Sequence, residues 1–236
     1  MTDSSAARLL ALDTATDTLY LALQTPAGML ARTGSGAAQA SATLLPQIAE
    51  LLREAGVAAG ELDALACGIG PGAFTGLRTA CSVVQGLAFG VGRPVIALPT
   101  LLAVAESACQ QGAAGAVWAV QDARMGEVYA ALYERDADGW QVRVPPALQS
   151  PGQLLAQAQA RPGVLAGNAL KAFPALAAVA GAGFPDAVPD GAALMALARS
   201  AWQRGDVLDA SQALPLYVRD KVAQTTAERL GQRPQD

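Results

Sequence analysis

A glycine-rich segment in the first third of the chain has residue types that can bind phosphate. It reads Gly68-Ile69-Gly70-Pro71-Gly72-Ala73-Phe74-Thr75-Gly76-Leu77-Arg78 and lies between a predicted strand and a predicted helix. Backbone N–H groups and the helix dipole favour an anion at such a turn, and Thr75 and Arg78 would add donors. The pattern is neither a Walker loop nor GxGxxG. A tight connection that needs glycine for a positive φ explains it equally well.

An aspartate at the end of the first predicted strand is a second candidate for phosphate chemistry. Asp13 is followed by the turn Thr14-Ala15-Thr16-Asp17. A phosphate-binding hairpin turn contains glycine because backbone N–H groups must approach the phosphate closely, and this turn has none. Its two carboxylates would repel phosphate unless Mg²⁺ intervened. Alternatively, Asp13 and the threonines cap the turn through side-chain hydrogen bonds.

A third segment, Gln121-Asp122-Ala123-Arg124-Met125-Gly126-Glu127-Val128-Tyr129, contains a predicted turn with charges of both signs. The set Asp122, Arg124 and Glu127 suits a structural ion-pair network or a contact with another protein. A solvated turn without a partner fits the charge pattern at least as well. In either case the turn is a poor nucleotide cradle, because it is not glycine-rich.

The residue types that are missing exclude several kinds of catalysis. The chain has no histidine, which excludes Ser-His-Asp and Cys-His catalysis and His-ligated zinc or iron. Acid–base chemistry would have to use carboxylates, Lys, Tyr or Cys. Cys67, Cys81 and Cys109 are widely spaced and form no CxxC pair, so neither a metal site nor a redox pair is predicted. We expect no metal and no cofactor.

Charge and hydropathy indicate where the 236-residue chain works. It has 16 Lys and Arg against 20 Asp and Glu, a formal net charge of -4, which argues against direct nucleic-acid binding. No signal peptide is visible, and the charge-free stretches are too short and too broken to span a membrane. We therefore expect a cytoplasmic protein in a reducing compartment, without membrane contact.

Hydrophobic periodicity predicts the elements that position these segments. The predicted strands are Leu9–Asp13, Thr18–Gln24, Met29–Thr33, Leu62–Gly68, Pro94–Leu98, Ala116–Gln121, Gly126–Glu134, Trp140–Val144 and Gly163–Ala166. The predicted helices are Thr43–Ala55, Phe74–Phe89, Thr100–Gln110, Pro151–Ala160 and Asp190–Arg204. Pro46 is expected in the first turn of its helix, and Thr100 is expected to be an N-cap.

The order of these elements predicts the fold class. Three antiparallel strands continued by βαβ units form a ribonuclease-H-like domain, and the order occurs twice. We therefore predict an α/β protein of two tandem ribonuclease-H-like lobes, the actin-like ATPase architecture. Residues 1–110 would form the N-terminal lobe, and residues 111–236 a smaller C-terminal lobe with a polar tail. The tail is expected to fray after Tyr217.

Two helices of the first predicted lobe have more apolar surface than one sheet face covers. Arg78 is the only charged residue of Phe74–Phe89, and Thr43–Ala55 has a broad apolar arc. A helix that is apolar nearly all round is buried on more than one side, which favours a subunit interface. Burial within the second lobe is an equal alternative. The candidate interface residues are Leu44, Leu45, Ile48, Leu51, Leu52, Phe74, Leu77, Arg78, Cys81, Val84 and Gln85.

Four motifs together resemble the bacterial TsaB (YeaZ-type) family. They are Leu10-Ala11-Leu12-Asp13-Thr14-Ala15-Thr16, Gly70-Pro71-Gly72-Ala73-Phe74-Thr75-Gly76-Leu77-Arg78, Asp122-Ala123-Arg124-Met125-Gly126-Glu127-Val128-Tyr129 and Pro215-Leu216-Tyr217-Val218-Arg219. The resemblance extends from about Leu9 to Arg219. The order and spacing of the second and third motifs are specific to the family.

The resemblance implies a catalytically inert paralogue of TsaD, the subunit that transfers threonylcarbamoyl to the adenosine beside the tRNA anticodon. It implies binding to a TsaD-type transferase, which a TsaE-type ATPase joins, and a homodimer of the isolated protein through the two apolar helices. TsaD holds iron or zinc with an HxxxH motif, which a chain without histidine lacks. Family members often have a histidine six residues ahead of the proline at Pro46, where this chain has Ala40.

We therefore expect a non-catalytic scaffold and dimerisation subunit for this tRNA modification. Asp13, Gly70, Gly72 and Thr75 would then form a vestigial nucleotide or anion site. The alternative is a small-molecule kinase or ATPase of the same superfamily that uses Asp13 and the Gly70–Gly72 loop. The missing glycine in the hairpin and the absence of a second phosphate loop argue against it. A homodimeric binding module unrelated to tRNA is a third hypothesis.

Overall fold

Two mixed sheets organise the protein in a computed structural model, which describes residues 7–180 and 183–218. The first sheet has the strand order β3-β2-β1-β4-β5 and the second has β8-β7-β6-β9. The strands of the first sheet are β1 (Leu9–Asp13), β2 (Thr18–Thr25), β3 (Gly28–Ser35), β4 (Ala64–Gly70) and β5 (Val95–Pro99). Those of the second are β6 (Ala116–Asp122), β7 (Val128–Asp136), β8 (Gly139–Gln149) and β9 (Val164–Ala166).

In each sheet, an antiparallel meander of three strands is followed by strands that pair in parallel. β1 pairs antiparallel with β2 and parallel with β4, and β6 pairs antiparallel with β7 and parallel with β9. This is the strand order expected for a ribonuclease-H-like lobe. The predicted α/β class with two tandem lobes is therefore confirmed, although the second sheet has one strand fewer among the described residues.

Seven helices connect and cover the sheets in the described part of the chain. They are α1 (Ala40–Ala55), α2 (Phe74–Val91), α3 (Thr100–Gln110), α4 (Pro151–Ala160), α5 (Ala169–Ala172), α6 (Pro174–Ala180) and α7 (Gly191–Arg204). None of the described helices is long and apolar enough to cross a membrane.

Both faces of the first sheet are buried, and the two covers come from distant parts of the chain. Leu10 and Leu12 of β1 pack on the side of α1 and α2. The alternate residues Leu9 and Ala11 pack against α7 instead, as the two-residue period of a strand requires. Helix α7 follows the second sheet in sequence but covers the first. A helix from beyond the predicted boundary at residue 110 therefore packs on the sheet of the first lobe.

The second sheet is covered by α3 on one face and by α4 to α6 on the other. Leu101, Val104 and Ala108 of α3 pack against β6 and β7. On the opposite face, Leu154 of α4 packs with Trp118, which is fully buried and donates its indole N–H to the Arg161 carbonyl over 3.0 Å. Helix α3, which precedes this sheet in sequence, thus connects the two lobes.

Several predicted element ends are wrong for local reasons. Helix α1 begins at Ala40 rather than at Thr43, so Pro46 lies in its second turn. Helix α2 continues to Val91 and ends at Gly92, which is in the left-handed conformation at φ 66°. Strand β8 continues to Gln149, beyond the predicted end at Val144, because it pairs with β7 along its length. The predicted fraying after Tyr217 falls almost wholly outside the described residues.

Candidate functional site

Asp13 is fully buried and serves the fold. Its Oδ1 accepts a hydrogen bond from the N–H of Ala15 over 2.7 Å, and its Oδ2 accepts one from the Thr100 hydroxyl over 2.6 Å. Burial raises the pKa of Asp13 from 3.8 to about 6, although both hydrogen bonds act in the opposite direction. The interpretation of Asp13 as a turn-capping residue therefore holds, and its carboxylate is not open to a ligand.

Thr100 connects this aspartate to the glycine-rich loop. Its hydroxyl accepts a hydrogen bond from the N–H of Gly70 over 3.1 Å while it donates to Asp13. Thr100 is the first residue of α3, and Pro99 is the N-cap, so the predicted capping role of Thr100 is wrong. Gly70 has a φ of +107°, a backbone conformation that residues with a side chain rarely adopt. The N–H of Gly70 is thus used internally and is not available to an anion.

The β1–β2 turn packs directly against the start of α2. The N–H of Ala73 donates to the carbonyl of Ala15 over 2.7 Å, and the Thr14 hydroxyl donates to the carbonyl of Gly76 over 2.7 Å. A Cβ on Gly72 would lie 2.5 Å from the same Ala15 carbonyl oxygen. The N–H of Ala73, the N-cap residue of α2, is therefore engaged by a carbonyl and is not available to an anion.

The four predicted anion-site residues do not meet around one open space. Asp13 and Gly70 are engaged in buried hydrogen bonds, while Gly72 lines a cleft between the lobes. Thr75 is exposed in the first turn of α2, and its carbonyl accepts a hydrogen bond from the Thr79 hydroxyl over 3.0 Å. The alternative explanation, that the turn needs glycine for a positive φ, applies at Gly70, whereas Gly72 is required by close contact with the backbone of Ala15.

The cleft between the lobes has a volume of about 260 Å³. The β1–β2 turn and the glycine-rich loop line it from the first lobe, and the end of β6 and the following turn line it from the second. Its apolar wall includes Pro71, Phe74, Leu77, Leu216 and Tyr217. The polar side chains Asp17, Gln121, Asp122, Arg124 and Asn168 also line it.

The charged turn after β6 joins the two lobes at the rim of this cleft. Arg124 Nη2 lies 2.5 Å from Asp17 Oδ2 in the first lobe, and Arg124 Nη1 lies 3.6 Å from Asp122 Oδ2. Arg124 and Met125 have positive φ angles of 64° and 56°, which are uncommon for residues other than glycine. Two residues of the predicted set, Asp122 and Arg124, therefore take part in ion pairs, and Asp17 is a partner that the prediction did not include.

The segment from Ala213 to Tyr217 covers part of α2. The sequence analysis did not predict this contact. The Tyr217 ring lies 5.4 Å from that of Phe74, and its hydroxyl accepts a hydrogen bond from Arg78 Nε over 2.9 Å. The Arg78 guanidinium lies 3.9 Å from the centre of the Phe74 ring. Gln85 Nε2 donates to the carbonyl of Ala213 over 3.2 Å. Three predicted interface residues therefore contact their own chain.

The structure divides the eleven predicted interface residues into two groups. Six of the buried residues pack in the core of the first lobe and are not on the surface, which corrects the prediction at these positions; they are Leu44, Ile48, Leu51, Leu52, Cys81 and Val84. Leu77 is also buried, but it lies at the wall of the cleft. Leu45 is 51% exposed, Phe74 and Arg78 are also exposed, and Gln85 is half-buried. Phe89 is 85% exposed and was not predicted. The sequence signal that could have indicated it is a large aromatic residue near the end of a helix that has no charge after Arg78.

The described residues contain no group of three or more His, Cys, Asp or Glu side chains that could hold a metal ion. Cys67 of β4 and Cys81 of α2 are both buried free thiols, and the neighbouring Cys81 thiol together with burial raises the pKa of Cys67 well above its usual value. Both side chains pack in the same apolar core. We therefore assign this pair to packing.

Comparison with known proteins identifies the family. Residues 35–190 match the family model described as "TsaD: tRNA N6-adenosine threonylcarbamoyltransferase". The Escherichia coli "tRNA threonylcarbamoyladenosine biosynthesis protein TsaB" is 33% identical over 92% of this chain and 96% of its own. The Haemophilus influenzae protein of the same name is 32% identical over 91% and 94%. The crystal structure of YeaZ from Pseudomonas aeruginosa is 37% identical, with a TM-score of 0.77 over 89% of this chain and 99% of its own. The chain belongs to the TsaB (YeaZ) family.

Proposed function

We propose that this protein is a non-catalytic scaffold and dimerisation subunit in the biosynthesis of threonylcarbamoyladenosine in tRNA. It binds a TsaD-type transferase in the cytoplasm, a TsaE-type ATPase joins the pair, and the isolated protein forms a homodimer. The names of its relatives support a role in this biosynthetic process. The hydrogen bond from the Ala73 N–H to the Ala15 carbonyl carries the non-catalytic assignment, because it engages an N–H that is then not available to a phosphate.

The electrostatics of the first hairpin support the same assignment. Asp13, the acid that would hold a nucleotide-bound metal in a kinase of this architecture, is fully buried and engaged by Ala15 and Thr100. Asp17 and Asp122 at the cleft rim would repel a polyphosphate. The formal net charge of -4 also disfavours RNA binding, so we expect its role in tRNA modification to operate through protein partners.

The exposed face of α1 and α2 is the proposed partner surface. Leu45 on α1 and Phe89 on α2 are large apolar side chains that the chain itself leaves exposed. The exposed residues Gly86 and Ser82 lie about one and two turns before Phe89 on α2 and would let another helix approach closely. Aromatic side chains are enriched at the centre of protein interfaces, which favours Phe89 as an anchor.

Reconstitution tests the scaffold role. Purified TsaD-type and TsaE-type proteins and the enzyme that forms threonylcarbamoyl-adenylate would be assayed on tRNA with and without this chain. We expect modification only when the chain is present, together with co-elution of the chain and the transferase. Equal modification in both reactions would contradict the proposal. ATP turnover by the isolated chain would instead favour a kinase or ATPase.

A further inference from the structure

The cleft between the lobes contains a buried hydrogen-bond acceptor that the protein leaves unused. Gln121 lines the cleft at the end of β6 and is only 4% exposed. Within the described residues, its Oε1 has no hydrogen-bond partner. Leaving such an atom unpaired costs about 1–3 kcal/mol, so native proteins rarely retain one without a reason. Because Oε1 itself is buried, a ligand that donates a hydrogen bond in the cleft would remove this cost once the Gln121 carboxamide turns toward it.

A carboxylate beside Gln121 has a similar capacity. Asp122 also lines the cleft, and its side chain is 20% exposed. Its Oδ1 accepts a hydrogen bond from the N–H of Arg124, whereas Arg124 Nη1 lies 3.6 Å from Oδ2, outside hydrogen-bond range. Asp17 and Asp122 together carry two negative charges against the single positive charge of Arg124. Arg78, which stacks on Phe74 and donates to the Tyr217 hydroxyl, is not among the residues that line the cleft. The polar rim of the cleft therefore favours a cation that donates hydrogen bonds.

The walls and the size of the cleft restrict the shape of this cation. Phe74, Leu77 and Tyr217 provide apolar and aromatic surface opposite the polar end of β6. Aromatic faces attract planar cations, with guanidinium the most frequent among side chains. The volume of about 260 Å³ lies below the roughly 300–1,000 Å³ of sites for drug-sized ligands. One long side chain fits this space better than a complete cofactor.

We propose that the cleft binds the guanidinium group of an arginine side chain from a partner protein. Guanidinium is planar, always charged and carries five N–H donors, which suits two acceptors beside an aromatic wall. An RNA ligand is disfavoured because its phosphates would meet Asp17 and Asp122. This site is separate from the α1 and α2 face, so the inference goes beyond the scaffold role and does not depend on it.

The test uses the full chain, labelled with ¹⁵N, and small probes observed by NMR. N-acetyl-arginine methylamide is titrated to about 20 mM, because a single side chain binds in the millimolar range. We expect saturable shifts of amide signals around Gln121 and Asp122. N-acetyl-citrulline methylamide has the same shape without the charge, and N-acetyl-lysine methylamide has the charge without the plane. Both should bind at least fivefold more weakly. Equal shifts with all three probes, or stronger binding of adenosine, would overturn the proposal.

Two variants connect the binding to the proposed acceptors. Gln121→Met and Asp122→Asn should each weaken arginine binding at least fivefold, whereas Asp138→Asn, which changes an exposed carboxylate in the β7–β8 turn, should leave it unchanged. Asn keeps the oxygen that accepts from the Arg124 N–H, so Asp122→Asn preserves the local turn. Unchanged binding in both cleft variants would place the arginine elsewhere and contradict the assignment.

Thermal unfolding of Gln121→Met without any probe gives a second readout. If Oε1 is unpaired in the free protein, its replacement by a sulfur-containing apolar side chain of similar length should leave the melting temperature unchanged or raise it. A fall of several degrees would show that the amide already has a partner inside the chain. That result would also overturn the proposal.

Discussion

Thr100 and Asp13 are 87 positions apart in sequence, yet the Thr100 hydroxyl donates to the Asp13 carboxylate over 2.6 Å in the core of the first lobe. The same hydroxyl accepts from the N–H of Gly70. One side chain thus connects the first hairpin, the glycine-rich loop and the start of α3. In a phosphate-binding relative of this architecture, the first two of these would face a ligand, whereas here they bind each other.

Removal of this hydroxyl should destabilise the fold. Thr100→Val keeps the shape of the side chain but leaves the Gly70 N–H and one oxygen of Asp13 without their shared partner. We expect the free energy of unfolding to fall by about 2–4 kcal/mol, measured by urea denaturation. Thr100→Ser should restore most of it. The control Thr79→Val removes a surface hydroxyl and should cost less than about 1 kcal/mol. Equal losses in the two valine variants would contradict this account.

The stability of the protein should depend on the protonation of Asp13. The folded-state pKa of about 6 lies above the 3.8 of an ordinary aspartate, so the fold favours the protonated acid. Between pH 3.8 and pH 6, the unfolded state releases this proton first, and the Asp13 contribution to the unfolding free energy falls as pH rises, by about 3 kcal/mol.

The variant Asp13→Asn isolates this contribution, since it lacks the titrating group but keeps an oxygen for the Ala15 N–H. Relative to the original chain, its unfolding free energy should improve progressively from pH 4 to pH 7. Urea denaturation at four pH values measures this difference. A difference that does not change with pH would show that Asp13 titrates normally.

Two glycines near opposite ends of the α2 segment should respond oppositely to a methyl group. In Gly72→Ala, the new Cβ would lie 2.5 Å from the Ala15 carbonyl oxygen, and we expect a loss of about 1–3 kcal/mol. In Gly86→Ala, the Cβ meets nothing of its own chain within 4 Å, and in the monomeric Phe89→Asp background helix propensity predicts a gain of about 0.5–1 kcal/mol. Thermal unfolding of both variants checks the pair. A neutral Gly72→Ala would mean that the β1–β2 turn can move away.

Charged substitutions on α2 should distinguish the exposed face from the core. Phe89→Asp changes an exposed ring and should keep the chain folded while weakening the homodimer and the complex with the transferase at least tenfold. Val84→Asp places an unpaired charge in the core and should unfold the chain. Light scattering reports the mass of each variant, and circular dichroism reports its folding. A dimeric Phe89→Asp protein would move the proposed interface away from this face.

Local patterns in the sequence predicted much of the fold, and distant contacts explain the rest. The apolar run Leu9–Asp13 and the helices Thr100–Gln110 and Pro151–Ala160 have the predicted bounds, because their ends are marked by nearby residues. Whether the Val84 side chain faces the core or the surface was not predictable, since α2 has apolar or small residues on most sides. The packing of α7 on the first sheet depends on residues that local periodicity does not connect.

The candidate site was predictable only in its parts. The glycine-rich loop and the charged turn were recognisable from composition, but the hydrogen bond between Ala73 and Ala15 joins two backbone groups and leaves no mark in residue type. Gln121 also escaped notice, because an amide at the end of a strand is ordinary until its burial and its lack of a partner in the described structure are known.

The return of α7 to the first sheet has a consequence for synthesis on the ribosome. When residue 110 has been made, all five strands of that sheet exist, but only α3, through Leu102 and Ala103, packs on the face that includes Leu9 and Ala11 until Leu194 and Ala198 follow. The nascent chain therefore leaves part of this apolar face exposed while the second sheet is being translated. Chaperone demand should be greatest in this interval, and a ribosome stalled before α7 should leave a product that proteases remove.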